Sequence, residues 1–115
     1  MRLTSDFEVA ALVRKVFADG GFAAIEKRGA TEAGAIYIRC RTRLGEYLLY
    51  GPAAQSDYGE ASPVSRLYGL ILRTEAADEL DARLARESRF DPDLWVVEIE
   101  VEEADVARYL DLVKP

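Results

Sequence analysis

Apolar positions along the chain recur with two different periods, and the alternation between them marks out the elements. Val9, Leu12, Val13, Val16 and Phe17 fall on one helical stripe. Ser5 and Glu8 stand before it as the first and last residues of a capping box, and Gly20-Gly21 follows it as a left-handed C-cap. Residues 22–28 then read as a strand and 29–34 as its turn. Over residues 35–43 the period is strictly two: Ile36, Ile38 and Cys40 take one face, and Tyr37, Arg39, Arg41 and Arg43 the other. Leu44-Gly45 turns the chain into a third strand at 46–50. Sequential strands joined by short turns predict an antiparallel meander.

Residues 51–63 lose all periodicity and are rich in Gly, Pro, Ala and Ser, which predicts a long loop. A fourth strand is expected at 66–73. Thr74 is placed to cap a second helix reaching to about residue 89, with Ala77, Leu80 and Leu84 buried. Asp91-Pro92-Asp93 fits a type I turn and leads into a fifth strand, 94–101. Val106, Tyr109, Leu110 and Val113 give a last helix over 103–113. The expected architecture is a single α+β domain over 1–115, ordered αββββαβα, with three helices on an antiparallel sheet of about five strands.

Composition narrows the chemistry. The 115 residues suit one core. Asp and Glu outnumber Lys and Arg by 21 to 15, for a net charge of -6, which disfavours general nucleic-acid or anionic-membrane binding. The apolar run 9–13 is far too short to span a bilayer, and Asp6 and Glu8 interrupt any leader-like segment, so a cytoplasmic location is expected. A single cysteine, Cys40, allows no internal disulfide and reads as a small buried hydrophobe. The chain has no histidine, which removes Ser-His and Cys-His dyads and the commonest zinc ligand. It has neither the glycine register of a P-loop or dinucleotide fingerprint nor that of a calcium loop, so no cofactor and no metal is expected.

Two surfaces remain as candidates. Arg39, Arg41 and Arg43 form a cationic stripe that would suit a phosphate or carboxylate, or would pair across strands with Glu98 and Glu100, or with Glu46. The 51–63 loop offers Gln55 and Tyr58 beside Tyr50. Trp95 is expected to anchor the core.

Three segments together carry a resemblance. SDFEVAALVRKVFADGGFAAIEKRGATEAGAIYIR near the start, the YGPAAQS stretch and the RFDPDLWVVEIE block resemble a family of short bacterial proteins known only as domain of unknown function 1491. The resemblance implies a small single-domain cytoplasmic protein, with no activity, cofactor or catalytic residue attached. It singles out Arg28, Arg39, Tyr50, Gly51, Pro52 and the Asp91-Pro92-Asp93 turn for inspection.

The reading that follows is a small non-enzymatic binding or interaction module, whose partner would be another protein or a second copy of the chain. Its tentative binding residues are Arg28, Arg39, Arg41, Tyr50, Gln55 and Tyr58. The alternative is an enzyme or binding protein for an anionic ligand. As an enzyme it would use Arg39 and Arg41 as clamps and Tyr50, Tyr58 or a carboxylate as proton carrier, and these groups must then converge.

Overall fold

The computed structural model describes residues 3–53 and 66–113. In chain order the elements are helix α1 (Ser5–Ala18), strands β1 (Phe22–Lys27), β2 (Ile36–Arg41), β3 (Tyr47–Pro52) and β4 (Leu67–Thr74), helix α2 (Ala77–Phe90), strand β5 (Trp95–Glu100), a 3-10 helix (Glu103–Arg108) and strand β6 (Asp111–Leu112). The α+β class and the three helices agree with expectation. The sheet does not: it has six strands in the order β1-β5-β2-β3-β4-β6 and is mixed.

Two strands account for the difference. β5 enters between β1 and β2, antiparallel to the first and parallel to the second, so consecutive strands β1 and β2 never pair. The physical reason is visible in its sequence. Leu94, Trp95, Val96 and Val97 are all buried, as a strand covered on both faces requires, and a central position supplies that cover. The connection from β1 to β2 is built to admit it. A Cβ at Gly29 or at Gly34 would overlap the Asp93 carbonyl oxygen, so only glycine lets this loop close over the start of β5. Backbone bonds then fix the insertion: Ala30 N–H donates to Asp93 O at 2.9 Å and Trp95 N–H to Ala35 O at 2.7 Å. The Trp95 indole donates to Ala30 O at 2.8 Å, and the Lys27 ammonium caps the carbonyls of Pro92 and Leu94 at 2.7 Å each. Trp95 is 2% exposed, a core anchor with its one polar atom satisfied.

The second difference is the C-terminus. The helix expected over 103–113 stops at Arg108 as a 3-10 turn, and Asp111–Leu112 becomes β6, parallel to β4. Val113 N–H donates to Tyr68 O at 2.9 Å, so ladder bonds to an open strand edge replace helical ones.

Each face of the sheet carries one α-helix. Val9 and Val16 of α1, with Val106 and Leu110, close a core over Ala23, Ile38, Tyr50, Tyr68, Trp95, Val97 and Ile99. Leu80 and Leu84 of α2 close a second core over Leu49, Leu94 and Val96. α1 lies over β1, whereas α2 lies over β3 and β4. The coverage is therefore diagonal, and part of each face is left to side chains other than helical ones. The turn at Asp91 is as expected: its carboxylate accepts from Asp93 N–H at 3.1 Å. Two residues depart from their expected burial: Phe17 is 51% exposed, and Ala77 is exposed at the start of α2.

Candidate functional site

The arginine stripe lies on the α2 side of the sheet. Register sets Arg39 opposite Glu98 of β5, and its guanidinium also meets Glu26 of β1 and Asp81 of α2, at 3.9, 3.3 and 3.0 Å. The side chain is 13% exposed, and its Nε makes no well-formed hydrogen bond. Burial, opposed by Arg39 and reinforced by Glu98, raises the Glu26 pKa above its ordinary value. Arg39 is thus a lone cation among three carboxylates. Glu98 pairs with it as cross-strand geometry predicts, while Glu46 pairs with Arg73 at 3.1 Å. Arg41 is exposed and borders an open depression of 380 Å³ with Arg43, Glu100 and Glu102. Arg43 lies past the end of β2, and its backbone N–H donates to Glu102 at 2.9 Å.

The other expected residues lie elsewhere. Tyr50 is on the α1 side, 3% exposed, and burial pushes its hydroxyl pKa up to about 12. Its register partner is Ile38, whereas that of Arg39 is Leu49, so Arg39 and Tyr50 point to opposite faces. Arg28 is exposed and its guanidinium sits 5.9 Å from the Trp95 ring centroid. Gln55 and Tyr58 lie outside the described residues. The described members of the set therefore do not converge. Cys40 is buried with its thiol 3.1 Å from Val101 O, and burial pushes its pKa up to about 11, well away from a reactive thiolate.

A different arginine collects polar groups around a cavity. Arg66 stands immediately before β4 and is 9% exposed. Its guanidinium donates to Glu8 Oε2 at 2.6 Å, to Ser5 Oγ at 2.8 Å and to Leu3 O at 3.3 Å, and Ser5 Oγ donates in turn to Gly34 O at 2.6 Å. These bonds tie the start of α1, the β1–β2 connection and the foot of β4 to one buried cation. They also overturn the capping-box reading. Thr4 occupies the N-cap, the N–H groups of Ser5 and Asp6 donate to Glu32 O and Thr31 O, and the two signature side chains are turned inward to Arg66. The pair Ser5 and Glu8 was the visible signal; what the sequence could not supply was the partner 58 residues on from Glu8.

Arg66, Ile36 and Tyr68 are shared by two depressions of about 170 Å³ each. The first is a cleft between α1 and the C-terminal segment. Glu8, Leu12 and Lys15 project into it from one stripe of α1, and Tyr109, Leu110 and Asp111 close the other side. The far wall is fastened to α1: the Lys15 ammonium donates to Arg108 O at 2.7 Å, and Tyr109 OH donates to Asp19 at 2.8 Å. The Asp19 hydrogen bond raises the Tyr109 pKa. Among the described residues no cluster of His, Cys, Asp and Glu could hold a metal ion, and no helix is long and apolar enough to cross a membrane.

The chain is similar to several solved structures. The solution structure of the A. tumefaciens protein Atu0922 is 50% identical over 100% of this chain and 98% of that one, with a TM-score of 0.83. A crystal structure of a Caulobacter crescentus protein is 34% identical over 88% of each chain, with a TM-score of 0.73. An NMR structure of a family protein from the same organism is 31% identical over 99% of each chain, with a TM-score of 0.76. No curated protein matches. The family model that matches, over residues 3–110, is described as a protein of unknown function, DUF1491, and the latter two structures carry that family name. With nearly its whole length matched, the chain belongs to the DUF1491 family.

Proposed function

We propose that this protein is a non-enzymatic binding module whose ligand enters the cleft between α1 and the C-terminal segment. The observation that carries the reading is Arg66: a cation 9% exposed, held by three hydrogen bonds and lining both depressions. Burying a guanidinium costs several kcal/mol unless it is paired; Glu8, Ser5 and Leu3 supply that pairing and hold the planar fork, a group suited to carboxylates, at the wall of the cleft. A cleft of 170 Å³ is below the ~300–1,000 Å³ usual for ligand sites, so the occupant is small. The non-enzymatic part is supported by the raised hydroxyl of Tyr50, the raised thiol of Cys40 and a sequence without histidine. The lone buried thiol also suits the reducing cytoplasm.

The test is a fragment screen read by amide chemical shifts. Responses clustered on Leu12, Ile36, Tyr68 and Leu110 support the cleft; responses confined to the strands around Arg39 overturn it.

Self-association is a second reading, favoured by one observation. β1 is an edge strand, and beside it Phe17 and Phe22 stack edge-to-face at 5.9 Å while 51% and 42% exposed. A monomer in concentrated sedimentation runs removes this reading; a dimer dispersed by Phe22→Ser supports it.

A further inference from the structure

We infer that the cleft takes a small zwitterion with an apolar body, the class to which free apolar amino acids belong. This rests on the binding reading above and specifies its ligand. Its rim carries two cations, Arg66 and Lys15, and two anions, Glu8 and Asp111. Between them the floor is apolar, formed by Val9, Leu12, Ile36 and Leu110 with the ring of Tyr68. Inside a partly enclosed site, like-charge juxtaposition costs far more than it does in bulk water. Glu8 and Arg66 answer each other at 2.6 Å, so the rim charges that a ligand meets are Lys15 and Asp111. A ligand with only a carboxylate would leave Asp111 unanswered, and one with only an ammonium would leave Lys15 unanswered. A ligand with both charges answers both signs at once, and an apolar side chain covers the floor.

The cations are also held in place. Three hydrogen bonds fix the plane of the Arg66 guanidinium. The Lys15 ammonium is bonded to Arg108 O at 2.7 Å and lies 5.7 Å from the Tyr109 ring centroid, which keeps it at the cleft rather than in free solvent. Such fixed donors lose little freedom on binding. Size sets a further limit: 170 Å³ is the liquid share of roughly five or six water molecules, enough for a leucine-sized compound and tight for an indole side chain.

The experiment is an amide-shift titration of the full chain with leucine, N-acetyl-leucine, leucinamide and tryptophan. Leucine is expected to shift Leu12, Tyr68 and Leu110 in a saturable way. Each one-charge derivative should bind about tenfold or more weakly, the equivalent of ~1.4 kcal/mol, and tryptophan more weakly than leucine. Lys15→Gln, at an exposed position and with its fold checked by the amide spectrum, should weaken leucine more than leucinamide. If N-acetyl-leucine or leucinamide binds as tightly as leucine, the zwitterion inference falls and the cleft reading stands. If none of the four shifts the cleft, the inference falls. The cleft reading falls with it only if the fragment screen is silent there as well.

Discussion

The buried Arg66 and the half-buried Arg39 make the same kind of bond and different kinds of site. Arg66 faces one carboxylate, Glu8, and two neutral acceptors, the Ser5 hydroxyl and the Leu3 carbonyl, beside an apolar cleft. Arg39 faces three carboxylates on an otherwise polar half-face of the sheet. Around Arg66 charge is balanced; around Arg39 the carboxylates are in excess. The cause is the diagonal placement of the helices. α1 leaves open the stretch of its face that leads to Tyr68, which is apolar, while α2 leaves open the β1–β5–β2 stretch, whose outward positions are Glu26, Glu98 and Arg39. An excess of carboxylates repels the anion that an arginine stripe would otherwise invite, so Arg39 acts as a structural clamp, and the proposed recognition role falls to Arg66.

The largest expected effect separates the two as structural elements. Arg66→Met takes the cation from the half-buried Glu8 and one of its bonds from the buried Ser5 hydroxyl, which keeps Gly34 O. It should cost about 3–5 kcal/mol, a large fraction of the ~5–15 kcal/mol that holds a domain together. The midpoint of urea denaturation reads it directly. Adding Glu8→Gln to Arg66→Met should restore part of the loss, because no uncompensated charge remains. A single variant within 0.5 kcal/mol of wild type would show that the Arg66 junction is not a tight buried pair.

Arg39→Met should cost less, about 1.5–3 kcal/mol, the range for hydrogen bonds to charged groups. Its partners Glu26 and Asp81 are 36% and 63% exposed and can turn to water when the cation is gone, a route less open to Glu8 at 25%. Equal losses at the two positions would make the two arginines equivalent as structural elements.

How much of this was legible in sequence depends on the range of the interaction. The helical stripe of α1, the alternation of β2 and the Asp91 turn are local, and periodicity exposes them. The insertion of β5 is not local. Its sequence read as a fifth strand, yet nothing nearby in sequence says which two strands it would separate; the carbonyl of Asp93 against Gly29 and Gly34 decides that. The site failed for the same reason. Ser5 and Glu8 satisfy a local rule so well that their real partner, Arg66, was hidden behind it. Conversely, Arg39 drew attention because its stripe is a local pattern, and its three carboxylates arrive from β1, β5 and α2.

The burial of Glu26, reinforced by the carboxylates around Arg39, should also show as a pH effect. The folded pKa of Glu26 is raised, so the protonated form is favoured by folding. That contribution is fully present below the unfolded value, 4.5, and is lost as pH rises through the higher folded value. Glu26→Gln removes the effect. The variant should be at least as stable as wild type at pH 7, and wild type should gain on it as pH falls toward 4.5. Urea midpoints at several pH values check this; a wild type that loses ground to the variant over that window would mean Arg39 outweighs burial and the other carboxylates together.

The smallest expected effect is the most discriminating for function. Arg41 is exposed, beside Glu100 and Glu102 in an open depression, where salt at physiological strength screens the charges. Arg41→Ala should leave stability within about 0.5 kcal/mol and leucine binding unchanged. A well-folded Arg41→Ala that lost ligand or partner would move the functional surface to the polar half-face despite its excess of carboxylates. An unchanged variant, set beside a Lys15→Gln that binds leucine more weakly, would assign recognition to the cleft side of the sheet.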